Sequence, residues 1–136
     1  MRARKLLKVV PLGLVVATGL VIATGLVIGA TPASAAYTDC SSGYACMWTS
    51  NSYPGAPNAS FQYSIVLSST SNAINSIVNN GNSSVARFYD AGNFTGSYIS
   101  LNNPARGGQT RDPNLSNGTD ATTANWANRI SSAQFV

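Results

Sequence analysis

Trp48-Thr49-Ser50-Asn51-Ser52-Tyr53-Pro54-Gly55 and Tyr89-Asp90-Ala91-Gly92-Asn93-Phe94-Thr95-Gly96 share one spacing: an aromatic residue, four others, a second aromatic, one more residue and a glycine. Each matching pair stands 41 positions apart. A strand that ends on an aromatic residue and must fold over at once needs a backbone with positive φ, which glycine adopts without strain. The second aromatic then packs over the turn. Asn72-Ala73-Ile74-Asn75-Ser76 matches Asn128-Arg129-Ile130-Ser131-Ser132 at a displacement of 56, so the later unit has the longer middle. The serine near the end of each segment, Ser76 and Ser132, is placed to hydrogen-bond polar groups that the folded hairpin leaves open.

Between these segments, short aromatic and β-branched runs at 44–48, 60–67, 85–89, 97–101 and 130–136 alternate with Gly, Asn, Ser and Pro clusters, which is the pattern of an all-β domain. No window of a dozen residues carries a 3.6-residue apolar period. In strand geometry Tyr44, Cys46 and Trp48 share a face, while Val85, Arg87 and Tyr89 alternate with Ala86 and Phe88. Two such units read as paired Greek keys forming a sandwich, the first over about 37–84 and the second over about 85–136.

Upstream of this domain the composition is different. Arg2, Arg4, Lys5 and Lys8 precede an uncharged apolar run over 9–30, and Ala33-Ser34-Ala35 follows as a small-residue cleavage site. These are the three regions of a secretory signal peptide, 1–35, which predicts an N-terminal signal helix and a secreted domain over 36–136. The run is also long enough to cross a bilayer, so a retained anchor is the alternative; either topology exports the C-terminal part. Without the leader, Arg87, Arg106, Arg111 and Arg129 balance Asp39, Asp90, Asp112 and Asp120. Scattered arginines offset by aspartates do not form a phosphate-binding surface, so nucleic acid is not an expected partner.

The whole chain has no histidine, and the exported part has no lysine and no glutamate. The usual general base, the usual zinc ligand and the activating partner of a nucleophilic serine are therefore missing, and no catalytic residue or cofactor is predicted. The four aspartates fall largely in turn-rich sequence, where aspartate bonds its own backbone. Cys40 and Cys46, an even pair in an exported chain, read as a disulfide, with a redox or metal pair as the alternative.

The ordered set of motifs resembles the βγ-crystallin Greek-key pattern. Cys40-Ser41-Ser42-Gly43-Tyr44-Ala45-Cys46-Met47-Trp48, then Tyr53-Pro54-Gly55, then Ile74-Asn75-Ser76-Ile77-Val78-Asn79-Asn80-Gly81, is similar to small secreted bacterial peptidase inhibitors of that fold. Residues 89–96 and 128–132 continue the resemblance. It implies a monomeric, non-catalytic protein that blocks an extracellular peptidase stoichiometrically, metalloproteinases being the best-characterised targets. It also implies structural roles for Trp48, Tyr53, Gly55, Ser76, Tyr89, Phe94, Gly96 and Ser132, and an inward-packed Leu115. A structural or surface- and glycan-binding module, with weak calcium binding, is the alternative.

Against calcium, Ser71 and Ala127 stand where the calcium-binding segments of the family carry an acidic or amide residue, and neither segment holds a carboxylate. No metal site is therefore predicted. The segment 102–124 and the proline-restricted segment 53–60 both offer a stiff loop for docking to an enzyme cleft, and the sequence does not choose between them. Sequons at Asn58, Asn82, Asn93, Asn114 and Asn117 read as turn residues. Trp48, Tyr89 and Trp126 read as packing residues rather than as a sugar-stacking platform.

Overall fold

A computed structural model describes residues 36–82 and 84–136; the segment read as a signal helix lies outside the described residues. The first key is built from β1 (Ala45–Trp48), β2 (Ala59–Phe61), β3 (Ser64–Val66) and β4 (Ser76–Asn79), the second from β5 (Ala86–Tyr89), β6 (Tyr98–Leu101), β7 (Arg111–Asp112) and β8 (Ser132–Phe135). The third strand of each key crosses over. One sheet runs β2-β1-β4-β7 and the other β3-β8-β5-β6, with every pairing antiparallel. Exchange of third strands ties the two keys together, so the molecule is the all-β sandwich of two Greek keys that the repeat implied.

The apolar run at 60–67 differs from a continuous strand. Phe61 ends β2 opposite Ala45, whereas Ile65 in β3 pairs with Ala133 of the other sheet. Gln62 and Tyr63, both exposed, make the corner. Phe61 and Ile65 both pack at the core between the sheets, and the chain must change sheets to bury them from opposite sides.

That core takes Ala45 and Met47 from β1, Ile77 from β4, Ala86 and Phe88 from β5, Ile99 and Leu101 from β6, and Ala133 from β8. Leu115, Trp126 and Ile130 come from the long middle of the second key and close one end. Period-two alternation sends the other residues of β1 outward, yet Cys46 and Trp48 are buried too. They belong to a second cluster with Cys40, Tyr53 and Val78, roofed by the turn Tyr37–Asp39 and the hairpin that follows β1. Burial on both faces is why all four residues of β1 and of β4 are inaccessible.

Candidate functional site

Each hairpin is closed by hydrogen bonds from a distant serine. Ser76 Oγ accepts from the Tyr53 N–H at 3.4 Å and donates to the Ser50 carbonyl at 2.8 Å. Ser132 Oγ accepts from the Phe94 N–H at 3.0 Å and donates to the Ala91 carbonyl at 2.6 Å. Trp48 and Tyr53 meet edge-on with centroids 5.3 Å apart, and Tyr89 and Phe94 at 6.3 Å. The Trp48 indole also donates to the Gly55 carbonyl at 2.9 Å.

Gly55 and Gly96 have φ of 64° and 82°, and a Cβ on Gly96 would stand 2.3 Å from Asp90 Oδ1. Sequence reasoning missed that Ser52, Tyr53, Asn93 and Phe94 also have positive φ. Left-handed backbone is costly for a bulky aromatic residue, and the buried serine hydroxyl is the partner that holds the strained N–H in place. Ser132→Ala leaves the Phe94 N–H and the Ala91 carbonyl without that partner. A loss of about 1–3 kcal/mol is expected, read as a shift in urea midpoint at unchanged slope.

The Cys40–Cys46 disulfide forms across a sequence separation of 6. It fastens the start of the domain to β1, and Asn80 Nδ2 donates to the Cys40 carbonyl at 2.8 Å. Beside it the Arg111 guanidinium lies 4.0 Å over the Tyr37 ring, and Tyr37 meets Tyr53 edge-on at 6.3 Å. Burial pushes the Tyr53 hydroxyl well above the usual tyrosine range despite nearby Arg111, so it stays neutral. An oxidised structural pair is compatible with an extracellular protein.

The two segments compared with calcium-binding sequence face each other. Asn75 Nδ2 donates to the Thr49 carbonyl at 2.8 Å, to Asn128 Oδ1 at 3.1 Å and to the Ala73 carbonyl at 3.3 Å. Ser131 Oγ donates to Asn72 Oδ1 at 3.1 Å. Oxygens that could have turned toward a cation are thus engaged by a neutral amide and a hydroxyl, and among the described residues no group of three acidic, His or Cys side chains converges.

Asp112 is fully buried and caps two turns, accepting from the Asn114 N–H at 2.9 Å and the Ala121 N–H at 3.2 Å. These bonds hold the chain that delivers Leu115 and Trp126 to the core. Burial raises the Asp112 carboxyl above its usual range, against the lowering effect of both N–H groups. A raised folded value means that the contribution of this group to stability is full below its unfolded pKa of about 3.9 and is lost as pH rises through the folded value. The non-titrating Asp112→Asn protein should therefore improve relative to wild type as pH rises from about 3 toward 7, checked by urea midpoints for both proteins across that range.

Of the two segments expected to offer a docking loop, 53–60 is tied to Trp48 through the Gly55 carbonyl, with Tyr53 buried, Pro57 and Ala59 half-buried, and exposure broken into 54–56, Asn58 and Ser60. The segment 102–124 contributes Leu115 to the core but opens with a continuous exposed stretch, 104–108. Its neck is pinned. Fully buried Asn103 accepts from the Arg106 N–H at 3.0 Å and donates to the Ser84 carbonyl at 3.3 Å. Asn102 donates through its backbone to the Gln109 carbonyl at 2.8 Å and through Nδ2 to the Gly107 carbonyl at 3.0 Å. Pro104 begins a single 3-10 turn, Pro104–Arg106, and Gly107 and Gly108 reverse the chain with positive φ. Trp48, Tyr89 and Trp126 are almost wholly buried and offer no stacking surface.

Two keys with exchanged third strands and hairpins closed by distant serines define a βγ-crystallin-type domain. The fold is similar to a βγ-crystallin from Ciona intestinalis, at 15% identity and a TM-score of 0.52 over 69% of this chain and 100% of that one. A structure concerned with the evolution of the eye lens βγ-crystallin domain fold is similar at 14% identity and a TM-score of 0.54, over 71% of this chain and 87% of the other. No curated protein matches the chain. Residues 33–101 match the model of peptidase inhibitor family I36, and the chain belongs to that family. It is an inhibitor-family protein, not an enzyme.

Proposed function

We propose that this chain is exported and blocks an extracellular peptidase by stoichiometric binding, with the exposed stretch 104–108 entering the enzyme's cleft. The observation that carries this reading is the combination of a fully exposed loop with a fully buried, doubly bonded residue at its base. Docking a loop costs the entropy of ordering it, and a loop already closed by Asn102 and Asn103 has little left to lose. The same bonds resist the slack that a peptidase needs to draw a peptide bond into its reactive geometry. The family match ends at Leu101, so the choice of loop rests on this geometry. The disulfide and the leader read over 1–35 support action outside the cell, and a bacterial metallopeptidase is the first target class to test.

Asn103→Ala tests the mechanism. The variant should keep a folded, titratable core yet bind the inhibited peptidase at least about tenfold more weakly, because the loop must then be ordered on docking. An unchanged inhibition constant in a folded Asn103→Ala protein would remove this loop from the contact.

A further inference from the structure

Tyr63, at the corner between β2 and β3, is left 83% exposed. With Gly43, Gln62, Asn82, Ser84 and Phe135 it lines a cavity of about 230 Å³ at the junction of the two keys. None of the residues of the loop 104–108 lines it.

The Phe135 wall is held in place. Phe135 is held against Phe61 with centroids 5.1 Å apart, and Gly81, whose N–H donates to Asn79 Oδ1 at 2.8 Å, passes so close that a Cβ there would stand 2.8 Å from the Phe135 ring. Gly43 keeps the space open, since its φ is 88° and a Cβ on it would project between Asn82 Nδ2 at 3.6 Å and Gln62 Nε2 at 3.9 Å. Two carboxamide groups therefore flank one point beside an exposed aromatic ring.

Every lining residue is neutral, and the sequence has no Asp, Glu, Lys or Arg between Asp39 and Arg87. Such a cavity offers no cation to a carboxylate or phosphate. Its amides and hydroxyls instead suit a ligand that is itself rich in uncharged hydroxyls, and the Tyr63 ring suits a flat face of C–H groups. The volume lies below the range of pockets for drug-sized ligands and fits a single ring.

We propose that this cavity is a subsite for one ring of a neutral saccharide, stacked on Tyr63 and hydrogen-bonded by Gln62 and Asn82. The site would hold the protein on a glycan surface through residues other than those of the proposed inhibitory loop, and it stands whether or not that loop contacts a peptidase.

Amide NMR spectra of the full secreted protein titrated with chitotriose and with cellotriose test it. At least one sugar should give saturable shifts with millimolar affinity at Gly43, Gln62, Tyr63, Asn82 and Ser84, including the side-chain amides. Tyr63→Ala and Gln62→Ala alter exposed residues, should melt with the wild type, and should weaken binding at least about tenfold. Absence of shifts with both sugars at concentrations that saturate a millimolar site, shifts centred elsewhere, or undiminished binding by the Tyr63→Ala protein would each overturn the proposal.

Discussion

Trp48→Ala is expected to destabilise the domain by about 3–5 kcal/mol, a large part of the 5–15 kcal/mol that holds a typical domain together. Trp48 is fully buried in the second cluster, against Tyr53 and the disulfide, and its indole N–H caps the Gly55 carbonyl. Truncation removes the largest side chain of that cluster and leaves a cavity under the hairpin roof, where the turn at 53–55 keeps only the Ser76 hydroxyl and the Tyr37 ring as supports. The variant should melt far below wild type or fail to accumulate. Tyr89→Ala, at the matching position of the second key, should cost less: Tyr89 packs on Phe94 and Tyr98 at the outer face of its sheet and bonds the Gln134 amide, with no disulfide or N-terminal turn above it. Thermal unfolding of the pair checks both statements, and a Tyr89→Ala loss equal to or greater than that of Trp48→Ala would contradict the asymmetry of the two roofs.

Removing the disulfide by the double change Cys40→Ser and Cys46→Ser is expected to cost about 2.4 kcal/mol through the unfolded chain alone, the entropy of closing a loop of about seven residues. The folded state should lose more. Without the bridge, the segment 37–39 depends on the Arg111–Tyr37 contact and the Asn80 bond to stay on the outer face of the first sheet. The expected result is a lower urea midpoint with accelerated hydrogen exchange at position 46, Met47 and Trp48. Exchange should rise little in the opposite sheet, at Phe88 and Ile99. Uniform acceleration across both sheets would show that the bridge stabilises only through the unfolded state.

What the sequence carried was periodic or punctuated. The displacements of 41 and 56 place β1 on β5 and β4 on β8, because strands that begin and end each key are fixed by the hairpin glycine and the distant serine. The change of sheet between Phe61 and Ile65 was not legible, since a two-residue corner of Gln62 and Tyr63 leaves no turn signature and both flanking strands are apolar. The left-handed Tyr53 and Phe94 were hidden for a different reason: aromatic residues seldom adopt positive φ, and only the surrounding hydrogen bonds make it tolerable. The choice between 53–60 and 102–124 could not be made either. The contacts that distinguish them, the Gly55 carbonyl on Trp48 and Asn103 beneath 104–108, are tertiary and leave no mark in either segment's own residues. Asp112 read as a turn residue, and it does bond the Asn114 N–H two residues on, but its place in β7 opposite Ile77 and its complete burial were not legible.

Function is decided most directly by titrating the purified protein into active-site-counted thermolysin-like, subtilisin-like and trypsin-like peptidases while following residual activity. For one of these classes, activity should fall linearly to near zero at a one-to-one ratio, with the inhibitor recovered intact from the complex. Undiminished activity in all three, or loss of activity that recovers as the added protein is digested, would contradict the assignment of this molecule as a peptidase-blocking domain.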